Sequence, residues 1–167
     1  MKKLIMVIAL AAIVATGTAF ADHPDGWGIG VMGSYDMGFI GGYHGNYGPA
    51  LSIKFPKLPV YWGIGMGFGW HGFRLGVTGD YYIIDKTFAP DIGLGWYFGV
   101  GGFVNMHFWS GWGGIDFGVR VPVGLSWMPI NWLELFIDIA PSLGVGIYNG
   151  AGFYFGLPLG IGARFWF

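Results

Sequence analysis

The sequence predicts an all-β fold, an eight-stranded antiparallel transmembrane β-barrel preceded by a cleaved signal peptide. Three observations predict it. The chain has 34 glycines, 20% aromatic residues and only 10% charged residues, which is too apolar for an ordinary soluble domain and too glycine-rich for a helical membrane bundle. Its long segments alternate between apolar residues and glycine or polar residues, the period of a β-strand, and the last of these segments ends on Phe167. A closed barrel fits all three, because it pairs every backbone group and turns its apolar face to lipid.

Residues 1–21 have the pattern of a secretory signal peptide. Lys2 and Lys3 form its charged start, residues 4–15 its apolar stretch, and Ala19-Phe20-Ala21 a small-x-small cleavage site. The apolar stretch is too short to cross a bilayer as a helix. The chain has no cysteine, which excludes disulfides and a lipoprotein anchor. We therefore expect a single barrel domain over residues 22–167.

Turn signals divide this domain into eight segments. An even number of strands brings both termini to the same end, the periplasmic end in this class of protein. Residues 56–59, 85–90 and 128–131 are then periplasmic turns, and short connections at 38–47, around 71, at 109–113 and at 148–151 face outward. Pro122 and Pro141 fall inside strands and predict bends, because proline cannot donate to a β-ladder. The predicted strands are 27–37, 48–55, 60–70, 72–84, 91–106, 114–127, 132–147 and 152–167.

Nearly all charged residues within the predicted strands fall on the face that turns inward. In the sixth strand, Phe117 and Val119 share the outward face while Asp116 and Arg120 share the inward one. A random apolar chain would scatter its charges, and each Lys or Arg facing lipid near the midplane would cost about 2–4 kcal/mol. The same alternation places four further charges in the lumen: Asp36, Lys54, Arg74 and Asp80.

The inward charges of the last three strands predict an ion-pair cluster. Charges that face a narrow lumen of low dielectric constant must be paired. We therefore expect Arg120 and Arg164 to pair with Glu134, Asp138 and Asp116.

The hairpin at residues 120–141 reads R-V-P-V-G-L-S-W-M-P-I-N-W-L-E-L-F-I-D-I-A-P. It resembles a family of small eight-stranded outer-membrane β-barrels of spirochaetal type, largely of unknown function, in which R-x-P-x-G-L and L-E-L-F-x-[ED]-x-x-P strands flank a periplasmic turn. The architecture is also similar to the transmembrane domain of OmpA and to OmpX and OmpW. The last strand resembles the C-terminal signature of such barrels, which marks Phe167 as an insertion signal for the barrel assembly machinery. The resemblance implies a fold and a compartment, the bacterial outer membrane, but no reaction.

Two functions remain open from the sequence. The first is a structural or surface-interaction barrel whose lumen is largely plugged by side chains and ion pairs, since an eight-stranded barrel is just wide enough for side chains to fill. The alternative is a narrow conduit for small or hydrophobic solutes, because many inward positions are glycine. We predict no enzymatic activity: acyl transfer needs a nucleophile, a base and an orienting group, and the His107/Ser110 pair has no third member in its connection.

The predicted partners are few. Without Lys2 and Lys3, the eight basic residues fall to six against nine acidic ones, a balance that argues against nucleic acid. We expect a monomer whose partners are outer-membrane lipid and the assembly machinery, with any host or envelope ligand left open. His44, His71 and His107 fall at or near the outer rim and are the candidates for a divalent metal. No spacing rule makes them converge, so no metal or cofactor is predicted.

Overall fold

The structure, a computed structural model, describes residues 20–21, 23–40, 46–69, 72–148 and 150–167. A short 3₁₀ turn, Pro90–Ile92, separates β5 from β6. Among the described residues, no helix is long and apolar enough to cross a membrane. The strands are β1 (Phe20–Ala21), β2 (Gly28–Ile40), β3 (Asn46–Lys54), β4 (Val60–Gly69), β5 (Gly72–Ala89), β6 (Leu94–Trp109), β7 (Trp112–Arg120), β8 (Val123–Ile130), β9 (Leu133–Ile139), β10 (Ser142–Ile147) and β11 (Ala151–Trp166).

The strands close into a ring. Each strand from β2 to β6 pairs antiparallel with the next, β6 pairs with both β7 and β8, β10 pairs with β7, and β9 pairs with β8. Strand β11 then pairs with β9 and β10 on one side and with β2 on the other. Because β7 with β8, and β9 with β10, lie end to end, the described chain forms an eight-stranded antiparallel barrel, as the sequence predicts. The short β1 lies outside this ring and pairs parallel with β5.

The two interruptions fall at Pro122 and Pro141, the prolines at which the sequence predicts bends. Strands β7 and β8 are separated at Pro122, and β9 and β10 at Pro141. The backbone remains hydrogen-bonded across both breaks: the Gly99 amide donates to the Pro122 carbonyl at 2.9 Å and the Val121 amide to the Pro141 carbonyl at 3.0 Å. The barrel wall therefore stays closed where these strands are interrupted.

The predicted turn at residues 85–90 is wrong. Strand β5 continues to Ala89, and the chain reverses through Pro90–Ile92 and Gly93, whose φ of 69° suits glycine. A bulge between Tyr82 and Ile84 adds a residue to β5 and shifts its alternation. As a result Asp85, predicted in a turn, lies on a strand and is buried.

The apolar face of the barrel points outward and the polar face points inward. In the sixth and seventh predicted strands, Asp116, Arg120, Glu134 and Asp138 are all buried. Rings pair on the outer surface near both ends, with centroids 5.9 Å apart for Trp132 and Phe165 and 4.7 Å apart for Phe73 and Phe108, and such aromatic girdles are typical of transmembrane barrels. The exposed apolar residues include Val31, Leu51, Ile64, Phe68, Phe73, Phe108, Val119, Leu125, Ile137, Leu143 and Ile161.

Candidate functional site in the barrel lumen

The centre of the site is an ion pair between the last strand and β9. Arg164 and Glu134 are register partners, and Arg164 Nη1 donates to Glu134 Oε2 at 2.6 Å. Arg164 is 2% exposed and Glu134 0%. Trp166 Nε1 donates to the same carboxylate oxygen at 2.9 Å, while Arg164 Nε and Nη2 donate to Ser52 Oγ at 3.2 and 2.9 Å. The buried guanidinium is therefore both charge-paired and hydrogen-bonded, the condition under which a buried charge is tolerated.

Aromatic rings enclose this guanidinium. Arg164 Cζ lies 4.8 Å from the centroid of the Tyr61 ring, 4.7 Å from that of Phe136 and 5.7 Å from that of Trp166. Within about 6 Å, a cation over an aromatic face is attracted by the ring quadrupole. Packing and charge thus hold the same group in place.

His23 closes this end of the lumen from the segment before β2. Its Nδ1 lies 2.5 and 2.6 Å from the two carboxylate oxygens of Asp85, and its Nε2 lies 3.0 Å from Glu134 Oε1. Burial by itself lowers the pKa of His23, but the two carboxylates outweigh it and raise that pKa to about 9. The imidazole is therefore charged at neutral pH and bridges two acids on different strands. We call His23, Asp85, Glu134, Arg164 and Trp166 the closing network.

Sequence reasoning missed two members of the closing network. Asp85 falls in a predicted turn, because no sequence signal marks the bulge that rotates it inward. His23 carries no strand pattern, since it precedes the first barrel strand. The parity of the last strand, by contrast, places both Arg164 and Trp166 on the inward face.

Three stacked tyrosines lie beside the closing network, and we call them the tyrosine stack. The centroids of Tyr61 and Tyr82 are 4.0 Å apart, and those of Tyr82 and Tyr97 are 4.3 Å apart, with nearly parallel rings. Tyr97 donates its hydroxyl to Asp138 Oδ2 at 3.1 Å. Space for the Tyr97 ring is left by Gly124 on β8, where a Cβ would overlap the ring. Aromatic side chains and facing glycines thus fill this part of the lumen.

The predicted single ion-pair cluster is divided in the structure. Arg120 pairs with Asp80, with Nε 3.2 Å from Oδ1, rather than with an acid of the last strands. Asp138 is hydrogen-bonded to Tyr97 instead of being paired with an arginine. Arg120 lies on β7 and Arg164 on β11, at different heights along the barrel. Each arginine therefore pairs with the acid nearest its own height.

Asp116 belongs to a separate group farther along the lumen. It accepts hydrogen bonds from Asn105 Nδ2 at 2.6 Å and Tyr148 Oη at 2.5 Å, and it lies 2.5 Å from His107 Nε2. Asp116 precedes Arg120 by four residues on β7, which is roughly 13 Å along an extended strand. Its assignment to the cluster with Arg120 is therefore wrong.

The remaining predicted site residues are distributed as follows. Lys54 is buried, and its Nζ donates to the Phe55 carbonyl at 3.0 Å. Arg74 lines a lumen cavity. Phe167 is 79% exposed and is held through its backbone, with its amide donating to the Trp27 carbonyl at 2.9 Å. The Asp36 side chain and all of His44 and His71 lie outside the described residues.

Of the three histidines predicted as metal candidates, His107 is the one that lies within the described residues. His107 is buried and turned to Asp116 rather than placed openly at the rim. Within the described ranges, no group of three or more His, Cys, Asp or Glu side chains is arranged to hold a metal ion.

A cavity of about 90 Å³ lies in the lumen beyond the tyrosine stack. Its walls come from β2 to β7, β10 and β11, with Met32, Thr78, Phe103, Arg74 and Arg120 among them. Clefts at the other side of the stack flank His23. The closing network and the tyrosine stack therefore separate the cavity from the end at which the chain termini lie.

Comparison with solved structures shows the same kind of barrel. The chain is similar to Neisserial surface protein A (NspA), with a TM-score of 0.53 and 12% sequence identity over 84% of this chain and 96% of that one. It is also similar to the N-terminal β-barrel domain of Pseudomonas aeruginosa OprF, with a TM-score of 0.39 and 15% identity over 81% of this chain and 96% of that one. No protein-family model and no curated protein matches the sequence. The likeness to NspA is therefore one of fold, that of a small outer-membrane β-barrel.

Proposed function

We propose that this protein is an integral outer-membrane β-barrel with a structural or surface-interaction role, and that its own side chains close its lumen. The observation that carries the proposal is the closing network, in which Glu134 receives Arg164, Trp166 and His23 at 2.6, 2.9 and 3.0 Å. Glu134 on β9 and Asp85 on β5 are thereby tied to two cations, Arg164 on β11 and His23 in the segment before the barrel. An open pore would leave those groups hydrated instead.

The width of the barrel supports closure. Eight strands enclose an interior that side chains can fill, and here five rings, those of Tyr61, Tyr82, Tyr97, Phe136 and Trp166, are buried in it. Each ring is large, and the stacking distances of 4.0 and 4.3 Å leave no room for water between the tyrosines. A solute would have to displace both the rings and the ion pairs.

We also propose an orientation and a processing step for the barrel. The end that carries His23 and Phe167 faces the periplasm, and Phe167, directly after the last strand, is read by the barrel assembly machinery. Residues 1–21 are removed as a signal peptide, so that His23 becomes the second residue of the mature chain. Membership of the spirochaetal family, predicted from residues 120–141, remains a prediction.

A narrow conduit is the second candidate, and the cavity of about 90 Å³ favours it. This space and the clefts beside His23 would join if the tyrosine stack and the closing network opened together. Breaking a buried ion pair costs about 3–5 kcal/mol, so such an opening is rare in the resting protein.

Proteoliposome swelling tests the two candidates. We expect vesicles that contain the folded protein to swell no faster than protein-free vesicles in isotonic solutions of glycerol, arabinose and sucrose. Swelling that depends on the protein and falls with solute size would overturn the closed barrel in favour of the conduit. Vesicles that contain a general porin serve as the positive control.

We also propose that the protein catalyses no reaction. His107 is buried beside Asp116, whereas Ser110 is exposed in the turn after β6, so the nucleophile and base needed for acyl transfer are directed to different places. Lipid A from cells with and without the protein should have identical masses. A lipid A species that gains or loses an acyl chain only when the protein is present would contradict this.

A further inference from the structure

Closure of the lumen does not account for the surroundings of the Arg120 guanidinium. The residue is 7% exposed, and within the described chain its ion-pair contact is Nε to Asp80 Oδ1 at 3.2 Å. Neither of those two atoms has a hydrogen-bond partner. Arginine carries five N–H donors in a rigid fork, and a buried donor without an acceptor costs about 1–3 kcal/mol. A buried arginine of this kind is short of acceptors.

Arg164, in the closing network, shows how the same chain supplies hydrogen-bond acceptors to a buried arginine. Its Nε, Nη1 and Nη2 all donate, to Ser52 and Glu134, at 2.6 to 3.2 Å. Arg120 has no comparable set of acceptors from the protein. The difference points to an acceptor for Arg120 that comes from outside the chain.

The cavity beside Arg120 is suited to such an acceptor. Arg120 and Arg74 both line it, and its described walls include no carboxylate. Ser34, Thr78, Asn105 and Ser142 add polar groups, while Met32 and Phe103 supply apolar walls. Two guanidinium groups in a space of low dielectric constant attract negative charge more strongly than they would in water.

The size of the cavity admits a small ion. A volume of about 90 Å³ is several times the roughly 10–15 Å³ that a single bound water requires. A small inorganic oxyanion therefore fits. Guanidinium forks match the paired oxygens of oxyanions, which accept two parallel hydrogen bonds.

We infer that the lumen, on the side of the tyrosine stack away from the chain termini, binds a small tetrahedral oxyanion of the phosphate or sulfate type, which Arg120 holds with the help of Arg74. This site goes beyond the proposed closed barrel, because the closing network needs no anion. It also explains why an arginine so poor in protein acceptors is placed beside open space.

Titration calorimetry of the full folded protein in detergent tests the inference, with sodium phosphate and sodium sulfate as probes at constant ionic strength. We expect saturable binding of one anion per barrel. Arg120→Gln should weaken it at least tenfold and Arg74→Gln to a smaller extent. Lys57→Gln is the matched control, because it removes the same charge from an exposed turn residue and should leave the affinity unchanged.

A second variant keeps the test decisive if Arg120→Gln does not fold. Arg120→Lys retains the charge but loses the fork, so it should still weaken phosphate binding several-fold. The inference is overturned if the unmodified protein shows no saturable binding. It is also overturned if Lys57→Gln weakens binding as much as the cavity variants do, or if chloride binds as tightly as phosphate.

Discussion

Arg164 on β11 and Glu134 on β9 are direct register partners on neighbouring strands, joined inside the lumen by a 2.6 Å hydrogen bond from Nη1 to Oε2. The same carboxylate contacts His23, which precedes the first barrel strand, at 3.0 Å through its other oxygen. One side chain therefore links the start of the barrel domain to its last strand. Its loss should affect both the stability and the closure of the barrel.

Glu134→Gln should lower the free energy of unfolding by about 3–5 kcal/mol, because it leaves the buried Arg164 without its counter-charge. Urea titration of the protein folded in lipid vesicles, followed by tryptophan fluorescence, measures the change. Asp91→Asn is the control, since Asp91 is exposed in the Pro90–Ile92 turn and its substitution should change stability by less than about 0.5 kcal/mol. Equal effects of the two variants would contradict the role of Glu134.

Stability should fall as the pH rises from about 6.5 to about 9. His23 has its pKa raised from 6.5 to about 9 in the folded protein, so its contribution is complete below 6.5 and is lost as the pH passes through the folded value. The shift corresponds to roughly 3 kcal/mol at 1.36 kcal/mol per pKa unit. Urea midpoints measured from pH 6 to pH 9 should show this decline.

His23→Gln is the control for the pH dependence. It removes the titrating group, so the variant should be less stable than the unmodified protein at pH 6 and should change little up to pH 9. A decline of equal slope in His23→Gln would assign the pH dependence to another group and contradict the bridge to Asp85 and Glu134.

Gly124→Ala should destabilise the barrel by about 1–3 kcal/mol, the usual cost of overpacking. A Cβ at this position would overlap the Tyr97 ring. Gly33→Ala is the matched control, because a Cβ there meets nothing within 4 Å and alanine is favoured over glycine in a strand. Comparison of the urea midpoints tests the packing, and a loss at Gly33 as large as that at Gly124 would contradict it.

Much of the fold follows from the period-two pattern, which places Arg164 and Trp166 inside and Val119 outside. Asp85 could not be placed, because the bulge between Tyr82 and Ile84 depends on pairing with β6 and leaves no mark in the sequence. His23 could not be placed either, since an irregular segment has no periodicity to show where it packs. The partners of Arg120 and Asp116 depend on their height in the barrel, which face patterns alone do not determine.

Val119→Lys should cost about 2–4 kcal/mol in vesicles if the outward face of β7 meets hydrocarbon near the midplane. Val119 is 62% exposed and lies near the middle of the barrel strand that β7 and β8 form end to end. Trp132→Lys, in the turn between β8 and β9, should cost about 0–1 kcal/mol beyond the loss of the ring's own packing, because lysine is tolerated near the interface. A Val119→Lys variant as stable as the unmodified protein would contradict the assignment of this face to lipid.

Single-channel recording in planar lipid bilayers tests the closed lumen most directly. The folded protein should insert without stable conductance steps at moderate voltage, because the closing network and the tyrosine stack block its path, while a porin recorded in the same bilayers shows that insertion is detected. Reproducible unitary steps from the unmodified protein would contradict the closed barrel.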